Sequence, residues 1–186
     1  MRGRALLPLV AGRACPRPSL LMRGCILAGG LSSRFGSDKA LFPVDGQPLA
    51  LRLAERMGRA GLEPVLVGRQ PRRLGVPELL EADQPTRHPL WGVAAGLEGG
   101  AALFCPCDLP DLEVRHLHLL LEGWQRFPEG VYAAGQPLLG VFPASLREKA
   151  RSLAAKEGRV YDFVVGITKL EIGSFKNLNV PGEGGP

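Results

Sequence analysis

The chain has 186 residues, 45% hydrophobic and 22% charged, a composition that fits one globular domain and excludes a disordered, collagen-like or coiled-coil chain. No run of about 20 apolar residues is present, so no helix is expected to span a membrane, and four cysteines in this length do not make a disulfide scaffold. The formal charge is +5, but Arg2, Arg4, Arg13 and Arg17 lie in an acid-free stretch and residues 22–186 carry only +1, so the basic excess belongs to a tail and argues against nucleic acid as a partner.

Residues 1–21 read as a disordered leader upstream of a start at Met22. Their apolar piece, 5–11, is at the short limit for a secretory signal and is interrupted by Pro8. Residues 22–186 read as a single domain. Its first strand is 24–28, ended by Gly29 and Gly30. A loop rich in glycine and serine follows over 31–39. Leu49, Leu53, Met57 and Ala60 recur on one face of a helix, which Gly61 stops. Strands are expected at 64–68 and 79–83, a short helix at 93–98 and a fourth strand at 101–105. Asp111 is expected to cap a helix over 112–126. Strands at 131–134 and 138–142, a helix at 144–156, a strand at 168–172 and a terminal strand at 176–179 complete the chain. Short apolar strands alternating with helices imply an α/β fold with a mostly parallel sheet. Ligands in such folds sit beyond the carboxyl ends of the strands, near the switch point, which singles out Gly29-Gly30 and Asp108.

Residues 27–39, LAGGLSSRFGSDK, are the richest stretch. Paired glycines let backbone N–H groups approach an anion. Ser32 and Ser33 add hydroxyls, and Arg34 and Lys39 add fixed positive charge. The combination suits a polyphosphate, but it is neither a Walker A loop nor a G-x-G-x-x-G fingerprint. In residues 104–110, FCPCDLP, Asp108 just past a buried strand is placed either to hold Mg²⁺ or to cap a turn. Cys105 and Cys107 have no second pair at zinc spacing and read as small buried apolar residues, as do the other cysteines. His116 and His118 are two apart on a helix and face different ways. His88 reads as a loop histidine near a substrate or simply at the surface.

The motif L-A-G-G-x-S-x-R-x-G-x-D-K, carried by Leu27, Ala28, Gly29, Gly30, Ser32, Arg34, Gly36, Asp38 and Lys39, resembles the signature of the molybdenum cofactor guanylyltransferases. The resemblance continues through residues 46–49, Asp83, residues 88–92, residues 105–110 and residues 177–181. It implies a three-layer α/β/α Rossmann-like nucleotide-diphospho-sugar transferase fold. It also implies a cytoplasmic enzyme that transfers GMP from GTP to a molybdopterin-type cofactor and releases pyrophosphate. Carried over by position, Leu27, Ala28, Gly29 and Gly30 meet the nucleotide, Lys39 neutralises its phosphates with Arg34, Asp83 sits near the nucleoside, and Asp108 binds nucleotide and Mg²⁺. Transient contact with molybdoenzymes or cofactor-delivery proteins is a further implication. Two departures stand out: Val67-Gly68 where the family often has an asparagine, and the ending after Pro181. Alternative readings are a CTP-dependent molybdopterin cytidylyltransferase, a sugar-phosphate nucleotidyltransferase, or a non-catalytic nucleotide-binding adaptor on the same fold.

Overall fold

A computed structural model of the chain describes residues 22–29, 38–81, 84 and 86–178. The elements in chain order are β1 (Arg23–Leu27), β2 (Pro43–Val44), β3 (Gln47–Pro48), α1 (Leu49–Arg59), β4 (Glu63–Gly68), β5 (Glu78–Leu80), α2 (Leu90–Gly96), β6 (Ala102–Pro106), α3 (Val114–Arg126), β7 (Val131–Ala133), β8 (Gln136–Phe142), α4 (Arg147–Ala155), α5 (Val160–Phe163) and β9 (Thr168–Leu170). Single 3-10 turns at Lys39–Leu41, Leu97–Gly99 and Ala144–Leu146 link them. Among the described residues, no helix is long and apolar enough to cross a membrane.

Seven strands form one sheet in the order β5-β4-β1-β6-β8-β7-β9. Only β8 runs against the others. Alternate side chains of each strand leave on opposite faces, and the core divides accordingly. Ile26 and Ala28 pack with Leu49, Leu53 and Met57 of α1 and with Leu117 and Leu120 of α3. Cys25 and Leu27 pack on the other face with Leu90 and Val93 of α2, Ala150 and Ala154 of α4 and Phe163 of α5. The result is the expected three-layer arrangement. Because every main strand is covered on both faces, its sequence is a continuous apolar run and not an alternating one.

The chain winds from β1 outward through β4 to β5, then returns to place β6 on the opposite side of β1. The direction of winding therefore reverses between β1 and β6, the switch point at which α/β sheets open a crevice. Leu27 is in register with Pro106 there, and the Cys107 N–H continues the ladder by donating to the Leu27 carbonyl at 3.2 Å.

Several expectations need correction. Glu113, and not Asp111, caps α3. Its side chain accepts from the His116 N–H, and its own N–H donates to His116 Nδ1 at 3.0 Å, a reciprocal box that Asp111 has no partner to make. Burial above all holds the His116 imidazole below its ordinary pKa, in keeping with a neutral ring that accepts. Residues 176–178 form no strand; the Leu178 N–H instead donates to the Asp108 carbonyl at 2.9 Å, while Asn179 lies outside the described residues. The helix expected at 144–156 begins as the 3-10 turn before α4. The β2–β3 hairpin was not anticipated. It turns on Asp45 and Gly46, both at positive φ, an Asp-Gly signal for a two-residue hairpin.

Candidate active site

A cleft of about 280 Å³ opens at the switch point. Its walls come from the ends of three strands. Leu27 and Gly29 close β1; Pro106, Cys107 and Asp108 close β6; Glu81 follows β5, its N–H still bonded to the Gly68 carbonyl at 2.9 Å. Lys39 enters from the turn after residues 30–37, and Arg69, Arg87, His88, Pro89 and Leu138 complete the lining.

Of the residues expected from the sequence, the structure brings Leu27, Gly29, Lys39 and Asp108 into this cleft. Ala28 lies beneath it, its N–H donating to the Val67 carbonyl at 2.8 Å. Gly30, Arg34 and Asp83 lie outside the described residues. Lys39 Nζ stands 3.6 Å from Asp108 Oδ2, with 20% and 24% of the two side chains exposed. A cation and an anion are thus held side by side at the sheet edge, each still open to a ligand. Asp38 places Lys39: its Oδ1 accepts from the Ala40 N–H at 3.0 Å and caps the turn.

Glu81 is a residue that the sequence reading missed. Its side chain is only 6% exposed, and among the described residues it pairs with Arg69 at 3.7 Å. Burial pushes its carboxyl above the ordinary range, partly opposed by Arg69 and Arg72. The glycines beside it make room: a Cβ on Gly29 would fall 2.5 Å from Glu81 Oε1, and one on Gly92 3.0 Å from it. A carboxylate at a cleft wall whose pKa is raised by desolvation and that has a charge partner beside it marks a candidate binding residue. The signal available in the sequence was an acid just past the third strand, but no motif singled it out.

His88 is occupied structurally. Its Nδ1 accepts from the Leu90 N–H at 3.3 Å and its Nε2 faces the Gly158 carbonyl at 2.8 Å, which ties the cleft wall to the end of α4. The three described cysteines are buried free thiols. Burial pushes Cys25 and Cys107 up to about 12, and Cys105 well above its ordinary value. They stay protonated near neutral pH and serve as core, not as nucleophiles. Among the described residues no group of three or more His, Cys, Asp or Glu could hold a metal ion. The donor set fits a hard cation shared with a ligand: one carboxylate, Asp108, facing a cleft that phosphates would complete.

The MobA-like NTP transferase domain family matches residues 24–166. The molybdenum cofactor guanylyltransferase of Cereibacter sphaeroides is 36% identical over 181 residues, covering 85% of this chain and 91% of the relative. That of Xanthomonas euvesicatoria is 31% identical over 173 residues, covering 85% and 89%. In fold, the chain is similar to molybdopterin-guanine dinucleotide biosynthesis protein A of Archaeoglobus fulgidus, with a TM-score of 0.70, 17% identity, and coverage of 81% of this chain and 84% of that one.

Proposed function

The chain belongs to the MobA-like NTP transferase family, and on that premise we propose that it transfers GMP from GTP to a molybdopterin-type cofactor and releases pyrophosphate. One observation carries the reading: the Lys39 ammonium and the Asp108 carboxylate converge to 3.6 Å beside Gly29, at the ends of adjacent parallel strands. A lone cation would suit any anion. A cation paired with a carboxylate in an open cleft suits a nucleoside triphosphate that arrives with a divalent ion.

In this reading a phosphate oxygen of the cofactor attacks the α-phosphorus of GTP, and the bond to the bridging oxygen of the β-phosphate breaks. The attacking oxygen is already ionised near neutral pH, so the chain needs no general base. Its residues align the two phosphates and hold the charge of the departing pyrophosphate. Lys39 supplies positive charge and exposed backbone at Gly29 supplies close approach, with Gly30 and Arg34 assigned to the same task. Asp108 is the residue that would hold Mg²⁺, which when bound neutralises charge on the phosphates.

Glu81 supports guanine over cytosine. The guanine edge presents N1–H and the N2 amino group side by side, a pair of donors that matches the two oxygens of a carboxylate. No other common base offers that pair. Burial of Glu81 strengthens the match, since a hydrogen bond made out of water is harder to replace. Glu81 is assigned base selection, and Asp83 keeps the role near the nucleoside that the family resemblance implies. The enzyme is proposed to work in the cytoplasm, with transient contacts to the proteins that deliver or receive the cofactor.

The test is incorporation of labelled GMP into molybdopterin-bound molybdenum by the purified chain. Incorporation that needs GTP and a divalent ion supports the reading. Incorporation from CTP alone replaces it with cytidylyl transfer, and nucleotide binding without transfer to any acceptor replaces it with an adaptor role.

A further inference from the structure

Between β4 and β5 the chain makes a loop, residues 69–77, that contributes Arg69 to the cleft. Arg72 in the same loop does not line the cleft. Its side chain is 10% exposed and turned inward. Its Nη2 donates to the Ala28 carbonyl, its Nε donates to Asp38 Oδ2 at 2.7 Å, and its Nη1 donates to the Gln70 carbonyl at 3.2 Å. One planar fork thus joins the end of β1 to the residue that caps the turn bearing Lys39.

We propose that Arg72 is a positioning residue of the nucleotide site, tying the Ala28 carbonyl to the Asp38 carboxylate so that the Lys39 ammonium is set against the end of β1. The assignment deepens the functional reading above and rests on it for the identity of the ligand.

Three features support it. The fork is held at its base, because the Glu78 carboxylate accepts from the Arg72 N–H at 2.8 Å and from the Arg73 N–H at 2.6 Å. Asp38 is shared: one oxygen caps the turn through the Ala40 N–H while the other receives Arg72. Finally, the guanidinium lies over Gly68, where a Cβ would fall 2.6 Å from Nη1. Gly68 belongs to the Val67-Gly68 pair at the end of β4, where the family often has an asparagine. The space that a side chain would take there is filled by Arg72 from four residues beyond. A lysine could not make both contacts at once, since it lacks the planar fork.

The ordering runs from Glu78 through Arg72 and Asp38 to Lys39. Phosphate alignment is steep in distance: a misplacement of about 1 Å can cost on the order of 100-fold in rate. Arg72→Met is therefore expected to lower kcat/KM for guanylyl transfer by on the order of 100-fold. Gly68→Ala, which leaves Arg72 and Lys39 in place but displaces the guanidinium, should act in the same direction. It serves as the second variant should Arg72→Met fail to fold.

The decisive comparison is made in a Lys39→Ala background. A residue that acts through Lys39 has nothing left to position, so adding Arg72→Met should change GTP·Mg²⁺ binding by less than about twofold. Full additivity of the two losses would overturn the proposal, because a direct phosphate ligand or a general structural residue would add. A second readout needs no nucleotide. Hydrogen exchange at the Ala40 amide should accelerate in Arg72→Met while that of α1 and β4 is unchanged, and equal protection at Ala40 would refute the assignment. Wild-type protein that binds no GTP would overturn the functional reading, while the exchange measurement would still decide the place of Arg72.

Discussion

Asp108→Asn is isosteric and removes one charge, so it separates the electrostatic role of Asp108 from its place in the fold. The backbone at 108 is held independently by the Leu178 N–H at 2.9 Å. The carboxylate itself faces Lys39 at 3.6 Å with a quarter of its surface exposed. A partly exposed ion pair of that length is worth at most about 1 kcal/mol. In a domain of this size the loss lowers Tm by no more than about 2–4 °C. In nucleotide binding without metal, the substitution removes a negative charge from the cleft and breaks the ion pair with Lys39. Affinity for GTP in EDTA should therefore rise, by about 1 kcal/mol or roughly fivefold. With Mg²⁺ the sign reverses. The variant has no carboxylate to offer the ion at this position, so affinity becomes flat across a Mg²⁺ titration. Guanylyl transfer should fall by on the order of 10²- to 10³-fold, the usual cost of removing one preorganised charge partner from a transition state. Calorimetry across the Mg²⁺ titration, paired with the transfer assay and a melting curve, reads all three effects. Wild-type transfer and an unchanged Mg²⁺ dependence would make Asp108 a turn residue and refute the reasoning.

Lys39→Ala should reduce transfer by on the order of 100-fold with little change in melting, since the side chain reaches into the cleft and not the core; near-wild-type transfer would remove it from the site. Glu81→Gln should weaken GTP binding by about 1.5–3 kcal/mol and narrow its margin over CTP, measured by calorimetry with each nucleotide. The same variant should be more stable than wild type at neutral pH. Burial raises the folded carboxyl above its ordinary 4.5, so the folded state holds its proton after the unfolded state has lost it. Stability contributed at this site then falls as pH rises from about 4.5 through the raised value, and Glu81→Gln abolishes that slope in chemical unfolding across pH. Gly140→Ala should cost about 1–3 kcal/mol in the same unfolding assay, because its Cβ would fall 2.3 Å from the Val131 carbonyl oxygen across the β7–β8 pair.

The strands that build the site were legible because each is an apolar run closed by glycine, proline or aspartate. That pattern is enough to place Gly29 and Asp108 at strand ends. Lys39 was legible as a cation at a fixed distance along the same loop. What joins these residues was not. Arg72 lies 44 positions from Ala28 and 34 from Asp38, so its contacts depend on β4 pairing with β1, a long-range event with no local pattern. The missing asparagine was visible as a departure at Val67-Gly68, but only the packed structure shows an arginine crossing the space over Gly68. Glu81 and Asp83 illustrate a different limit. Asp83 came with the family motif and lies outside the described residues, whereas Glu81 carries no motif and its burial at the cleft wall appears only in the fold. Asp111 and Glu113 pose an ambiguity at the start of α3, settled by His116 three residues after Glu113.

Guanylyl transfer requires that this cleft select GTP. The most direct test is calorimetry of GTP, CTP, ATP and UTP against the full chain at equal Mg²⁺. GTP is expected to bind more tightly than the other three by at least the worth of one charge-assisted hydrogen bond, about 1.5 kcal/mol or more than tenfold. CTP binding as tightly as GTP would contradict this selectivity and assign the chain to cytidylyl transfer.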